Sequence, residues 1–597
     1  MKTIPDRAPA SPYVRVAQVD GRWWFVQGTN QFLSLGVNAI VPRDWSTPPD
    51  GRVYNVVARY NADFETWALD AEKRLRGWNF TSAGAWSHEA MYAHTTLYHT
   101  RVLELAGAWG NDDARLLDVF DPAYAAQLDA TARTHVAPHA QDTRLIGYFI
   151  NNELPWYGER GWPTTPRVTM LTRYLRLPAP APGRARAVEF LRGWYSNDFS
   201  AFTRDWQTAA TSFDQLAGSG EIEPLSGNSK LASIAWTGVA AEQYFKLTTE
   251  AIRRHDPNHL VLGVRYAYRA PTPVMEACAR YCDVISVNHY SKSGVFNEQL
   301  IGNIAALSGK PVLITEFSWR AMENRSDLKN THGADVTVPT QADRALRFRT
   351  YATRALQMPY LLGYHWFCYH DQPPMGRFDG ENSNYGLVDI KDEPYTEITD
   401  ALREVNRQAV TIHATSRVPA PALDPYYLLE YRPVRVNGSG TPLAAPLPVA
   451  NGAASASSYG DDAAGASLAI THENGSLVAR ARSRGWGCGL SITPNLGPRL
   501  ADGSVAAPGA QRLVIRLQAP EGLQFGPTLN ESGVGPTESQ TFDGLNGADG
   551  EAYVHAPVTA RAGLQDYVFP LADFELTPHY GNQRGNFSVD VQAVAQV

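Results

Sequence analysis

Cysteine is scarce in this 597-residue chain: Cys278, Cys282, Cys368 and Cys488 are the only four. No His set or second Cys pair completes a zinc pattern around them, so free thiols are expected and neither a disulfide framework nor a zinc site is indicated. Long apolar runs are also missing, and none approaches the roughly 18 residues that a membrane-spanning helix needs. The opening residues, Met1-Lys2-Thr3-Ile4-Pro5-Asp6-Arg7, lack the apolar segment of a signal peptide. That leaves two compartments open: the cytoplasm, or the periplasm or exterior if a leader has been removed. Basic blocks are absent too. With a net charge of −7 and no Lys/Arg cluster, neither nucleic acid nor an anionic membrane is expected as a partner.

What the chain does have is aromatic side chains and short apolar runs. Its 15 Trp and 28 Tyr suit contact with sugar faces as well as a large core. Eight apolar runs follow one another at 32–40, 79–86, 102–109, 144–153, 260–266, 284–290, 311–317 and 361–367, most of them trailed by a helical stretch. Buried parallel strands read as continuous apolar runs, and eight of them alternating with helices predict an α/β protein, a (β/α)8 TIM barrel. In the third run, Val102-Leu103-Glu104-Leu105 fits a helix as well as a strand. The barrel is expected over 31–415. Before it comes a lead at 1–30 in which Trp23-Trp24-Phe25 sits in a β-hairpin under the barrel. The long gap between the fourth and fifth runs carries an insertion whose aromatics, from Phe190 to Trp206, recur at roughly helical spacing and are expected to pack a buried helix pair. From 425 to 597 short alternating strands broken by Gly, Asn and Asp predict a β-sandwich of the jelly-roll kind, able to bind glycan or to brace the barrel. The acidic, glycine-rich turn at 543–551 offers oxygen ligands for a structural calcium, although its spacing departs from an EF-hand loop. No cofactor is required by anything else in the sequence, no catalytic metal is expected, and oligomeric state is unreadable.

Two glutamates close apolar runs: Leu145-Ile146-Gly147-Tyr148-Phe149-Ile150-Asn151-Asn152-Glu153 and Pro311-Val312-Leu313-Ile314-Thr315-Glu316-Phe317. The C-terminal ends of barrel strands are where barrel enzymes carry out chemistry. Either acid alone is as well explained by helix capping or loop solvation. Together they fit a glycosidase, in which one carboxyl protonates the leaving oxygen while the other attacks the sugar carbon or activates water. Their surroundings fit as well: Asn152 precedes Glu153, Trp156 and Tyr157 follow it, and Phe317 and Trp319 follow Glu316. Rings of this kind stack on pyranose faces, and amides read hydroxyls.

With these residues in place, the barrel resembles clan A of the glycoside hydrolases, and most closely the agarase family, glycoside hydrolase family 50. At clan level the match is Asn152-Glu153 and Glu316, with an aromatic on strand six in Val287-Asn288-His289-Tyr290 and a Trp on strand eight in Tyr364-His365-Trp366-Phe367. At family level it is Phe32-Leu33-Ser34-Leu35-Gly36-Val37-Asn38, Asp118-Val119-Phe120-Asp121-Pro122 and the stretch from His365 to Tyr395, which includes Asp371-Gln372-Pro373, Asp379-Gly380-Glu381-Asn382 and Gly386-Leu387-Val388-Asp389-Ile390. The resemblance implies retention of configuration through a covalent glycosyl-enzyme, with Glu153 as acid/base and Glu316 as nucleophile. Glu153 then needs a raised pKa, from partial burial and from the charge of Glu316. Tyr290 and Arg265 are expected to bond Glu316, Asn152 to reach the sugar 2-hydroxyl or the nucleophile region, and Trp366 to floor the reacting subsite. His289 is divided between a substrate role and a structural one, and Asn38, Trp86, Trp319, Glu381 and Asn382 are expected along the cleft. The implied substrate is an oligo- or polysaccharide, agarose-like or β-galactoside, with β-glucan or β-galactan as alternatives in the same fold. A non-catalytic carbohydrate-binding protein is the alternative of another class.

Overall fold

The computed structural model describes residues 11–105, 118–156, 169–219, 222–224, 227–334 and 336–423, then 435–437, 454–459, 467–473, 476–482, 487–492, 512–519, 521–531, 552–555, 558–570, 574–576, 588–590 and 594–596. The chain opens with a three-stranded antiparallel sheet, Arg15–Val19, Arg22–Gln27 and Asn30–Phe32. Asp20-Gly21 makes its first turn with φ of 50° and 76°, the doubly left-handed geometry that fits the twist of a two-residue hairpin.

A parallel sheet follows. Its nine segments run side by side in the order Leu260–Val261, Leu145–Phe149, Tyr98–Val102, Ser82–Ala83, Ser34–Val37, Leu361–Trp366, Val312–Phe317, Ile285–Asn288, Tyr266–Ala267. The two outermost segments belong to one stretch of chain, interrupted at Gly263 with φ +81°. Ile150 N–H donates to the Gly263 carbonyl at 2.8 Å on one side, and Arg265 N–H to Ser286 Oγ at 2.8 Å on the other. The sheet therefore curls round to meet itself as a TIM-like barrel, with Leu260 to Ala267 as its fifth strand.

Successive side chains on a strand point to opposite faces, and the core divides accordingly. Ile146, Leu260, Leu262, Val284, Leu313 and Leu362 form one cluster with Phe25 and Phe32 of the N-terminal sheet, which plugs the lower end of the barrel. Val312, Ile314, Leu361 and Tyr364 pack outward with residues of the surrounding helices, such as Phe348 and Tyr351 of Gln341–Leu356; Tyr364 shares a face with Leu361 because the register against the seventh strand shifts between them, at Gly363. That helix starts with a capping box between Thr340 and Asp343.

The third strand, Tyr98–Val102, lies earlier than the run expected at 102–109. His99 and Thr100 are buried polar residues, so this strand leaves no apolar run to read. After the fourth strand come the helices Met170–Leu175, Pro182–Trp194, Phe199–Asp205, Phe213–Ser219 and Gly227–His255. Their aromatics pack on one another, Phe190 against Trp236 at 5.5 Å and Phe202 against Phe213 at 5.4 Å. The Asp118 to Pro122 motif fastens this insertion: Asp121 caps Pro122–His135, and Asp118 accepts from Gly183 N–H at 2.8 Å. Among the described residues no helix is long and apolar enough to cross a membrane.

Beyond residue 423 most of the described strands pair antiparallel, among them Ser467–Glu473 with Ser476–Arg482 and Arg512–Gln518 with Leu564–Pro570, while Arg435–Asn437 pairs parallel with Ser588–Asp590, and Thr528–Glu531 lies inside a four-stranded sheet. The turn at 543–551 named for calcium lies outside the described residues, as does Tyr157.

Candidate active site

The upper interior of the barrel is polar, in contrast to its plugged lower end. Ser34 Oγ meets Ser82 Oγ and His365 Nε2, each at 2.8 Å, across the first, second and eighth strands. His365 fits only because position 36 is glycine: a Cβ there would lie 2.6 Å from the imidazole. Burial, with Arg265 adding to it, pushes the His365 pKa down to about 3, so the ring is neutral. Asn38, expected along the cleft, is buried in this layer. Its amide donates to the Thr315 carbonyl at 2.8 Å and accepts from Ala85 N–H at 2.9 Å, which commits it to holding three strands together.

Above this layer the two glutamates meet a shared set of partners. Glu316 is 6% exposed, and Arg265 donates to its Oε1. Tyr290 O–H donates to Oε2 at 3.0 Å. Strict alternation along Val312–Phe317 would send Glu316 outward, since Thr315 faces in; the register shifts on both sides of this strand turn it to the mouth instead. Bulges re-aim side chains in this way beside active sites. Glu153 stands at the end of the fourth strand with φ +50°, and Arg265 and Trp86, at the ends of the fifth and second, have φ +51° and +56°. Three left-handed non-glycine residues round one mouth are the kind of backbone strain that collects at functional sites.

Asn288 Nδ2 donates to Glu153 Oε1 at 2.8 Å and to Asn152 Oδ1 at 3.1 Å. Arg265 Nε donates to the same Asn152 oxygen at 2.9 Å. Since an arginine can only donate, the Asn152 amide is oriented with its oxygen toward Arg265 and its Nδ2 free to serve another acceptor. The guanidinium also lies 4.5 Å from the Trp86 ring and 5.1 Å from Phe149. Arg265 thus links both strand ends. Glu153 is exposed as a residue, but its carboxyl end lies against Asn288 at the mouth and loses solvent there. That loss of solvent, then the charge of Glu316, raises its pKa to about 7, against a smaller opposing pull from the Asn288 hydrogen bond.

Other residues read from the sequence lie elsewhere. His289 is buried with Nδ1 2.7 Å from Tyr351 O–H, on the outer face of its strand, and burial lowers its pKa to about 4. Trp366 is wholly buried, its Nε1 donating to the Tyr385 carbonyl at 2.9 Å and Arg344 lying against its ring, so it does not floor a subsite. Trp319 packs beside it and donates to the Ser291 carbonyl at 2.7 Å. Trp156 stacks on Phe245 of the long insertion helix. Asn382 is spent on the 331–332 loop, accepting from Thr331 N–H at 3.0 Å and His332 N–H at 2.9 Å. Glu381 is partly exposed, accepts from Gln372 at 2.7 Å and forms an ion pair with Arg377 at 3.0 Å; its charge adds to the upward push on Glu153.

Residues not singled out as site residues stand in their place. Asn288 bonds Glu153, and Phe367, not Trp366, faces Trp86 at 6.4 Å and Tyr385 at 5.8 Å, with Tyr385 6.2 Å from Tyr290. The loop carrying Tyr385 is moored by buried Asp371, which accepts from Ser326 and Asn384 at 2.6 Å, Tyr395 at 2.7 Å and Gly386 N–H at 3.0 Å. Among the described residues no group of three or more His, Cys, Asp or Glu is arranged to hold a metal ion.

The chain is 29% identical over 381 residues to β-agarase A of Vibrio sp. (strain JT0107), a match covering 59% of this chain and 37% of that protein. β-Agarase B of the same strain is 27% identical over 378 residues, covering 59% and 38%. A solved agarase superposes with a TM-score of 0.57 at 25% identity, over 68% of this chain and 66% of that one. The chain is β-agarase-like. It spans less than two fifths of the length of the curated relatives it matches. A solved exo-β-agarase shares the fold with a TM-score of 0.57 at 23% identity, covering 70% and 69% of the two chains. No family model matches the sequence.

Proposed function

We propose that this agarase-like chain is a retaining glycoside hydrolase that cleaves a β-linked, agarose-type galactan by double displacement. The observation that carries the reading is the unequal pair at the barrel mouth: Glu153 with a pKa raised to about 7, near a Glu316 held by Arg265 and Tyr290. A carboxyl poised near neutral pH can give and take a proton, and a carboxylate fixed by two donors is aimed as a nucleophile. Glu316 attacks the anomeric carbon while Glu153 protonates the departing oxygen. Glu153, now a base, then activates water to release the sugar from Glu316. Asn152 donates from Nδ2 to the sugar 2-hydroxyl, a bond that strengthens as positive charge develops on the ring. This chemistry draws on two carboxyl groups and water and calls for no cofactor. The strands from 425 to 597 are assigned to a β-sandwich accessory domain alongside a catalytic barrel at 31–415, and the partner is the polysaccharide itself.

The test is a panel of agarose, agaro-oligosaccharides, β-galactan and β-glucan, with products sized by chromatography and the first-formed anomer read by proton NMR. The expected result is oligosaccharide release from agarose with the β-anomer formed first. Release only from β-glucan would overturn the substrate, a first-formed α-anomer would overturn retention, and inactivity on every glycan would favour a binding protein.

A further inference from the structure

Phe378 is 78% exposed, the highest exposure of any large apolar side chain among the described residues. A single exposed ring needs no explanation by itself, but this one is held in a defined place. It sits at the tip of the loop after the eighth strand, in a turn closed by Gly376 N–H to the Pro373 carbonyl at 2.9 Å, Gly380 N–H to the Arg377 carbonyl at 2.9 Å and Arg377 N–H to the Glu381 carbonyl at 2.8 Å. Its neighbour Arg377 is clamped to Asp379 by bonds of 2.8 and 2.7 Å and lies 3.0 Å from Glu381. The Arg377 guanidinium lies 5.4 Å from the Phe378 ring centre and 5.6 Å from that of Phe367. Phe367 contacts Tyr385, Tyr385 contacts Tyr290, and Tyr290 bonds Glu316. A continuous path of rings and one guanidinium therefore leads from the nucleophile to an exposed Phe.

We propose that Phe378 is the stacking platform of an outer subsite, which takes a neutral sugar unit of the same glycan chain several units from the bond being cleaved. This assignment rests on the hydrolase reading above. A pyranose offers an apolar face to a ring, and Arg377, with hydroxyl-binding donors beside that ring, matches its polar edge. The occupant is a glycan and not a protein because the exposed large apolar side chains of this loop are only Met375 and Phe378, and Phe378 is joined by side-chain contacts to the catalytic mouth, whereas a protein interface needs an area many times larger. Phe378 acts on specificity: it favours long chains over short ones and does not touch the reacting atoms.

The test is the ratio of kcat/KM for a long agaro-oligosaccharide to that for the shortest one cleaved, in the full chain. Phe378→Ala should lower this ratio by about tenfold, the size expected for loss of one ring's apolar contact. Phe378→Trp should keep it. An unchanged ratio in Phe378→Ala, or an equal fall in both variants, would overturn the platform while leaving the hydrolase reading standing. A wild-type protein that cleaves no chain of any length would overturn the hydrolase reading, and the platform with it.

Discussion

The ends of the fourth and seventh strands carry the same residue type in opposite surroundings. Glu316 is buried and meets a guanidinium and a phenol, while Glu153 is exposed as a residue and, among the described residues, receives one side-chain donor, the amide of Asn288. Environment alone separates their chemistry. Two carboxyls kept apart in this way can divide acid and nucleophile between them, and two in equal settings could not. Arg265 sits where the contrast is made, bonding Glu316 directly and reaching the Glu153 side through Asn152.

Removing Arg265 should therefore erase the contrast most fully. For Arg265→Ala, kcat/KM is expected to drop by roughly 10²- to 10⁴-fold, since breaking a buried ion pair costs about 3–5 kcal/mol. A loss under tenfold in a variant with native circular dichroism would mean that Glu316 does not depend on its cation. Tyr290→Phe removes the second donor to Glu316, and a charge-assisted bond worth about 1.5–3 kcal/mol predicts a fall on the order of 10- to 100-fold in kcat.

On the acid side the expected effect is on pH dependence. Glu153 must carry its proton to work, and its pKa is raised to about 7, so the alkaline limb of kcat/KM should fall as pH rises through that value. The Asn288 hydrogen bond pulls that pKa down, so Asn288→Ala should move the alkaline limb to higher pH. A limb that moved to lower pH would contradict the assignment of Glu153 as the acid.

Trp86 and Trp366 sharpen the contrast between mouth and wall. Trp86→Ala uncovers Arg265 and should lower kcat/KM, whereas Trp366→Phe should act on stability, at about 1–3 kcal/mol of thermal or denaturant unfolding, with KM little changed. A large rise in KM for Trp366→Phe would return that ring to the substrate.

Much of this was legible in the sequence because buried parallel strands print as apolar runs, and both glutamates end such runs. Several misplacements share a cause. Adjacent residues on a strand face opposite ways, so His289 and Tyr290 could not both reach the mouth; Asn288 and Tyr290, two apart, do. By the same alternation His365 and Phe367 face inward, while Tyr364 and Trp366 meet the outer helices. Glu316 escapes the rule through a register shift, which no period in the sequence announces. The third strand was misplaced because its buried side chains include His99 and Thr100, whereas the fifth lies where its apolar run stands although Gly263 interrupts it.

The most direct test of the division between the two strand ends is turnover of a dinitrophenyl β-glycoside against the natural glycan in Glu153→Ala and Glu316→Ala. A good leaving group needs no proton, but every substrate needs the nucleophile. The expected result is that Glu316→Ala loses both activities, whereas Glu153→Ala loses the glycan and keeps substantial turnover of the dinitrophenyl substrate. Equal losses on both substrates in both variants, or dinitrophenyl turnover surviving in Glu316→Ala instead, would contradict the assignment.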